Sequence, residues 1–294
     1  MPRWVWLVIV AQLWIVYTYA SIAKLYPDWL DGTLPAILMK SKDHYWLVGE
    51  FLQKPWIRYV IAYFGLLFDL LIIPLLLWRK TRVPIVIAAV FFHLFNSLIF
   101  HIGIFPYLSL AFILFFFPTH RINKNFLKGK KPLYTKDEII VPSYAPLLKL
   151  MLLGWFLVQI SLPLRHWFFK DDVLWTEEGH RLSWRMMLRS KGGKSTFKVV
   201  EKGTKDTIYI NNRDYLTYKQ SRAVNSKPDM LWQFAQRLKE DYASKGKEVE
   251  IYIDSKVRVN GRRAVRFIDP KVDMANEEWK HFKHHDWILP SQLD

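Results

Sequence analysis

The sequence predicts a membrane α-helical bundle followed by a C-terminal α+β domain outside the membrane. The chain has 294 residues and is 51% hydrophobic, yet its mean hydropathy is only +0.03, so the apolar residues must be concentrated in one part. Nearly all long apolar runs fall within residues 1–169, whereas residues 170–294 are polar and charged. A helix needs about 20 mostly apolar residues to cross a bilayer. We therefore assign residues 1–169 to a transmembrane domain and residues 170–294 to a globular domain.

Five apolar segments predict the transmembrane helices, at about 4–24, 57–78, 84–102, 105–118 and 147–168. The fourth segment is short, so it must tilt little or stop before the far surface. Gly103 and Pro106 separate the third segment from the fourth. These two segments are therefore expected to form a helical hairpin.

Basic residues in the loops predict how the helices are oriented. Arg79, Lys80 and Arg82 lie between the second and third segments, and the loop 119–145 is also rich in lysine and arginine. Such loops face the cytoplasm. The hairpin tip and the C-terminal domain should then lie on the periplasmic or lumenal side of a bacterial inner membrane or an ER-like membrane. These loops carry much of the net charge of +16. Because basic loops beside apolar spans meet anionic lipid, we expect no nucleic acid partner.

The C-terminal region alternates strand and helix signals. Strands are predicted at about 196–201 and 206–210, and a helix at about 229–244. Two further β-rich segments meet at Asn260-Gly261, which predicts a two-residue hairpin turn. The string Lys191–Ser195 is similar to a phosphate-binding loop but lacks its first glycine, so we predict a simple turn there.

Two kinds of metal site are not supported. The chain contains no cysteine, which removes thiolate ligands. His281, His284 and His285 have plausible spacing for metal ligands, but no compact set of carboxylates completes a site. We therefore expect no metal.

Lys24 ends the first apolar segment, where its ammonium must reach water or lose its proton. Burial among apolar groups disfavours the charged form and can leave a neutral amine that acts as a general base. The alternative is an anchor whose charged end extends to the membrane surface. Asp28, four residues later, could pair with Lys24 and keep it charged, although Pro27 makes a continuous helix doubtful.

Other polar side chains interrupt the predicted spans. His93, Asn96 and Ser97 share one stripe of the third helix with Phe100, so they must face protein or a cavity. Hydrogen bonding between helices and contact with a ligand both explain this stripe. Asp69 lies within an apolar run and is costly there unless paired or protonated, which fits either a structural partner or a functional acid.

Three ordered segments resemble vitamin K-dependent γ-glutamyl carboxylases. Residues 15–25 are similar to the segment that contains the catalytic lysine of that family, and residues 92–107 resemble its transmembrane His/Asn motif. Ser183-Trp184-Arg185-Met186-Met187, with the later residues 267–273 and Trp287, resembles its lumenal domain. The resemblance covers almost the whole chain. It implies the horizontally transferred transmembrane (HTTM) domain that is shared with bacterial homologues.

The resemblance implies a carboxylase that uses vitamin K hydroquinone, with O2 and CO2 as co-substrates and no metal. Lys24 would deprotonate the hydroquinone, O2 would oxygenate it to the epoxide, and a glutamyl peptide or protein would be carboxylated to γ-carboxyglutamate. The residues implied to line the quinone pocket are His93, Asn96, Phe100, His101, Phe105 and Tyr107. Those implied to contact the glutamyl substrate are Trp184, Arg185 and Arg189.

The chain also departs from the family. Family members carry earlier transmembrane helices, so we expect a fragment, a mis-started reading frame or one half of a split enzyme. Its partners would be membrane lipid and a missing N-terminal half. Such a site would be open on one side, leaving Lys24 in contact with headgroups and water and the chain inactive. His101 replaces a serine and Arg185 an acidic residue, so peptide specificity does not carry over. The alternative function is a non-catalytic, membrane-anchored interaction or sensor protein.

Overall fold

The computed structural model describes residues 3–118, 121–123 and 141–293, so most of the predicted basic loop 119–145 lies outside the described residues. The chain forms two compact units, Met1–Leu162 and Pro163–Asp294. The first is helical and the second combines helices with a small antiparallel sheet. The predicted fold class, a membrane helical bundle with a C-terminal α+β domain, is confirmed.

The first unit is built around long apolar helices. Those long enough to cross a bilayer are α1 (Arg3–Ile22), α5 (Ile57–Leu77), α6 (Arg82–Phe100) and α8 (Ala145–Leu164). A shorter apolar helix, α7 (Phe105–Ile113), continues as a 3-10 turn to Phe116 and forms the predicted hairpin with α6. Between α1 and α5 the chain adds three short helices, namely α2 (Pro27–Leu30), α3 (Thr33–Lys40) and α4 (Gly49–Leu52).

Aromatic and aliphatic side chains hold the long helices together. Tyr17 of α1, Phe68 and Ile72 of α5 and Phe116 beyond α7 belong to one buried cluster. The rings of Phe68 and Phe92 lie 4.1 Å apart, which locks α5 to α6. Because lipid tails are as apolar as these side chains, close packing and interhelical hydrogen bonds drive this association.

A second apolar cluster explains why the short helices form. Met39 of α3 and Leu52 of α4 pack with Ile57 and Ile99 at neighbouring ends of α5 and α6. The short helices thus bury their apolar side chains against the bundle. The sequence analysis missed them because four to eight residues are too few to show a helical period.

The second unit contains a four-stranded antiparallel sheet in the order β2-β1-β3-β4. The strands are β1 (Lys191–Glu201), β2 (Thr207–Ile210), β3 (Val249–Val259) and β4 (Val265–Arg266). The helices of this unit are α9 (Val173–Thr176), α10 (Tyr218–Val224) and α11 (Pro228–Ser244). Phe234 of α11 packs edge-on against Phe197 of β1, with ring centroids 4.8 Å apart, so the apolar face of α11 covers the sheet.

Two local predictions in this unit need correction. The predicted turn at Lys191–Ser195 is wrong, because these residues form the first half of β1 and pair with β3. Gly193 permits this strand, since a Cβ there would lie 2.4 Å from the carbonyl oxygen of Asn225. Asn260 and Gly261 do form a turn with positive φ angles of 49° and 80°. The ladder resumes only at Val265, however, so the hairpin is looser than predicted.

Candidate functional site

Lys24 and Asp69 form a buried ion pair in the first unit. Lys24 Nζ lies 2.5 Å from Asp69 Oδ2, and the two residues are 9% and 7% exposed. The same nitrogen donates a hydrogen bond of 2.9 Å to the carbonyl oxygen of Ala20. The expected contact of Lys24 with headgroups and water is therefore wrong. The carboxylate of Asp69 draws the ammonium of Lys24 into the bundle and away from the membrane surface.

The surroundings of Lys24 come from α5 and from the segment after α1. Trp29 of α2 places its ring 5.6 Å from Lys24 Nζ, a cation–π distance, and donates its indole N–H to Ala62 of α5. Gly65 of α5 leaves room for the lysine stem, since a Cβ there would contact Lys24 Cε at 4.0 Å. The ε-amino group is thus held among a carboxylate, a carbonyl oxygen and an aromatic face. Such a group can exchange a proton in a largely dry site.

His93 lies at the meeting point of four helices. It is 1% exposed, and its Nε2 lies 3.1 Å from the hydroxyl oxygen of Tyr17. Its ring makes edge contacts with Phe68, Phe92 and Phe105 at centroid distances of 5.3 to 6.4 Å. In the described part of the chain, the buried Nδ1 of His93 has no hydrogen-bond partner. The structure thus brings together two of the predicted quinone-pocket residues, His93 and Phe105, and leaves one polar atom available.

Two other predicted pocket residues lie at the end of α6. Phe100 contacts Phe95 at a centroid distance of 5.9 Å and packs with the short-helix cluster. His101 ends α6 in the left-handed conformation, with φ 54°, and its Nε2 lies 3.4 Å from the hydroxyl oxygen of Tyr45. These contacts place both residues against the segment between α3 and α4 and not in the aromatic shell of His93.

Tyr107 and Asn96 complete the predicted set. Tyr107 is 54% exposed and shares a hydrogen bond of 2.8 Å with the hydroxyl of Ser97. This bond links α6 to α7, which is the interhelical role left open for the polar stripe. Asn96 is half-buried, and its backbone carbonyl accepts the N–H of His101 at the end of α6.

In the second unit, the predicted substrate residues lie in an irregular segment. Leu182, Trp184 and Met187 all have left-handed backbone conformations, with φ between 56° and 63°. Such conformations are costly for residues other than glycine and cluster at functional sites. Arg185 places its Nη1 3.4 Å from His166 Nε2. This unusual backbone makes the segment a candidate binding element.

Arg189 has a carboxylate partner within the chain. Its guanidinium donates two hydrogen bonds to Glu177, of 2.6 and 3.3 Å, and lies 2.9 Å from His180 Nε2. Lys191 Nζ reaches the same carboxylate at 3.3 Å. Burial lowers the pKa of Lys191 to about 8, although Glu177 acts in the opposite direction. The sequence analysis missed Glu177 because nothing in its spacing points to these two cations.

A cavity of about 350 Å³ opens beside this cluster. His180 lies in its wall, and burial together with the neighbouring Arg189 and Arg185 lowers the pKa of His180 to about 3. The imidazole of His180 is therefore neutral at physiological pH and can accept a hydrogen bond. The charged residues that line the same cavity are Arg165, Glu177, Glu178, Arg181, Asp229 and Lys280.

The histidines near the C-terminus are engaged in other contacts. His284 Nδ1 lies 2.7 Å from a carboxylate oxygen of Glu178, and the ring of His285 packs at 4.4 Å on Trp279. Burial lowers the pKa of His285 to about 4. Within the residues that the structure describes, no group of three or more histidine, aspartate or glutamate side chains could hold a metal ion.

Two family models match the chain. The model of the vitamin K-dependent gamma-carboxylase lumenal domain matches residues 144–294. The model of the HTTM domain matches residues 1–120. No solved structure matches the chain.

Proposed function

The chain belongs to the vitamin K-dependent γ-carboxylase family, and from this premise we propose that it is a membrane enzyme that couples oxygenation of vitamin K hydroquinone to carboxylation of peptidyl glutamate. The observation that carries the proposal is the buried ε-amino group of Lys24, held by Asp69 at 2.5 Å. A buried lysine that can pass on its own proton is a proton acceptor of the kind that such chemistry needs.

The residues around His93 have the chemistry to hold a quinol. A naphthalene ring that enters beside His93 would meet the aromatic rings of Phe92 and Phe105, and the buried Nδ1 of His93 would offer a polar partner for a hydroxyl. A hydroquinone that reaches this site from the bilayer supplies the four electrons that reduce O2, because one oxygen atom enters the epoxide and the other leaves as water. Few polar groups in an apolar pocket are typical of sites that orient a small ligand.

Lys24 is proposed to take the proton of the quinol hydroxyl. The O–H bond breaks with its electrons left on oxygen, a new N–H bond forms at Lys24, and the proton that Lys24 carries in the ion pair is released in exchange. The ammonium of Lys24 is held by the carbonyl oxygen of Ala20 and the face of Trp29. Burial limits access of water to the reacting groups.

The second unit is proposed to present the glutamyl substrate. Trp184 and Arg185 belong to the irregular segment that contains the left-handed residues Leu182, Trp184 and Met187. The guanidinium of an arginine is suited to bidentate contact with a carboxylate. The guanidinium of Arg189 binds Glu177. Arg185 lies between Trp184 and Met187, whose backbones are left-handed, and it is the residue that we expect to contact the glutamyl side chain.

Membranes that contain the chain provide the test. They are supplied with reduced vitamin K, O2, radiolabelled bicarbonate and a glutamyl peptide, and we expect both vitamin K epoxide and label in the peptide. Parallel reactions with oxidised vitamin K, or without peptide, control for background. Epoxide without labelled peptide would restrict the activity to quinol oxygenation. If neither product forms, the non-catalytic alternative replaces the proposal.

The proposed orientation places the second unit in the periplasm or lumen. Lys80, between α5 and α6, and Lys219, in α10, are both exposed, and the native chain contains no cysteine. In cells whose outer surface is accessible, an impermeant thiol reagent should label Lys219→Cys before permeabilisation and Lys80→Cys only afterwards. Labelling in the reverse order would contradict the orientation.

A further inference from the structure

Asp69 is a buried carboxylate for which the proposed function has no role of its own. It lies within α5, an otherwise apolar span, and is 7% exposed. A carboxylate at such a position is costly unless a cation and hydrogen bonds compensate it. Lys24 supplies the cation at 2.5 Å.

The ion pair is not needed merely to attach α1 to α5. Ser21 of α1 donates a hydrogen bond of 3.0 Å to the carbonyl oxygen of Leu66, and Trp29 of the following helix α2 donates one of 2.9 Å to that of Ala62. The apolar cluster around Phe68 joins α1 and α5 further along. These contacts dock the helices without any charge. The cost of burying Asp69 therefore points to a role at Lys24.

We propose that Asp69 is a positioning residue that fixes the ε-amino group of Lys24 and takes up the proton that Lys24 releases when it accepts the quinol proton. This inference rests on the proposed function. The quinol O–H bond breaks and leaves an anion, a new N–H bond forms at Lys24, and one proton of the ammonium moves to Asp69. The pair ends as an ammonium beside a carboxylic acid, so no further reactant is needed. A carboxylate held 2.5 Å from the nitrogen can take that proton without reorganisation.

The variant Asp69→Asn tests the charge while keeping the size of the side chain and an oxygen that accepts a hydrogen bond. We expect kcat for quinol epoxidation to fall by about 100-fold, with little change in KM, because an asparagine amide cannot take the proton that Lys24 releases. Asp69→Glu restores the charge and should recover part of kcat.

A second measurement needs no turnover. The second measurement is the rate of trace acetylation of Lys24 at one fixed neutral pH, quantified by mass spectrometry of the Lys24 peptide. This rate reports how readily the ε-amino group reacts. Because the charge-assisted hydrogen bond to Asp69 holds the ε-amino group more firmly than an amide oxygen does, Lys24 should react about tenfold faster in Asp69→Asn than in the native protein. Ser21→Ala removes a buried interhelical hydrogen bond but no charge, and it should leave this rate unchanged.

The two measurements together separate the possible outcomes. A slower epoxidation combined with faster acetylation supports the proposal, since a purely structural role gives no such split. An unchanged kcat in Asp69→Asn overturns it, and so do equal losses in the asparagine and glutamate variants with no change in acetylation. If the native protein forms no epoxide, the proposed function fails, while acetylation still shows whether Asp69 holds the ammonium.

Discussion

Replacing Lys24 by alanine is expected to reduce quinol epoxidation by roughly 10²–10⁴-fold, which is the range that a positioned general base contributes. The side chain of Lys24 carries the amine that faces Asp69 and Trp29, and alanine leaves no proton acceptor at that point. The measurement is the rate of vitamin K epoxide formation per folded protein, in membranes with saturating reduced vitamin K.

Rescue and a matched control make this result specific. A small primary amine added to Lys24→Ala should restore part of the rate, because it can occupy the space left by the lysine. Lys40→Ala removes an exposed lysine at the end of α3 in the same unit and should leave the rate unchanged. Full activity of Lys24→Ala without added amine would contradict the role of Lys24.

Breaking the buried ion pair from one side should destabilise the first unit by about 3–5 kcal/mol, because the remaining charge is left without its partner. Both Lys24→Met and Asp69→Leu are expected to show this loss. The double variant Lys24→Met/Asp69→Leu should be more stable than either single variant, since no charge then stays buried. The measurement is the free energy of unfolding in detergent for the native protein and the three variants.

The double-mutant cycle decides whether the pair is coupled. If the losses of the two single variants simply add in the double variant, the two side chains do not interact and the buried pair is refuted. The same cycle bears on the activity assay, because Lys24→Ala also strands Asp69. Its rate must therefore be compared at equal amounts of folded protein.

The long helices could be predicted from the sequence, whereas the pairing of their side chains could not. Apolar length alone identifies α1, α5 and α6, since a bilayer sets the length of a span. Asp69 was recognised as costly, but its partner lies 45 residues earlier in the chain. Only the packing of α1 on α5 brings the two groups together, so sequence reasoning left the roles of both residues open.

The same limit applies in the second unit. The helix at 229–244 and the strands around 196–210 follow from local patterns and agree with α11, β1 and β2. Glu177 binds Arg189 because its left-handed backbone, with φ 57°, ends α9 and reverses the chain. Tertiary contacts fix that conformation, and no local pattern in the sequence predicts it.

The short length of α7 has a consequence for the surrounding bilayer. The apolar helix from Phe105 to Phe116 is about 18 Å long at 1.5 Å per residue, against a hydrocarbon thickness of about 30 Å. Its partner α6 has 19 residues, so the two arms of the hairpin differ in reach. We therefore expect the bilayer to be thinner beside α7 than beside α6.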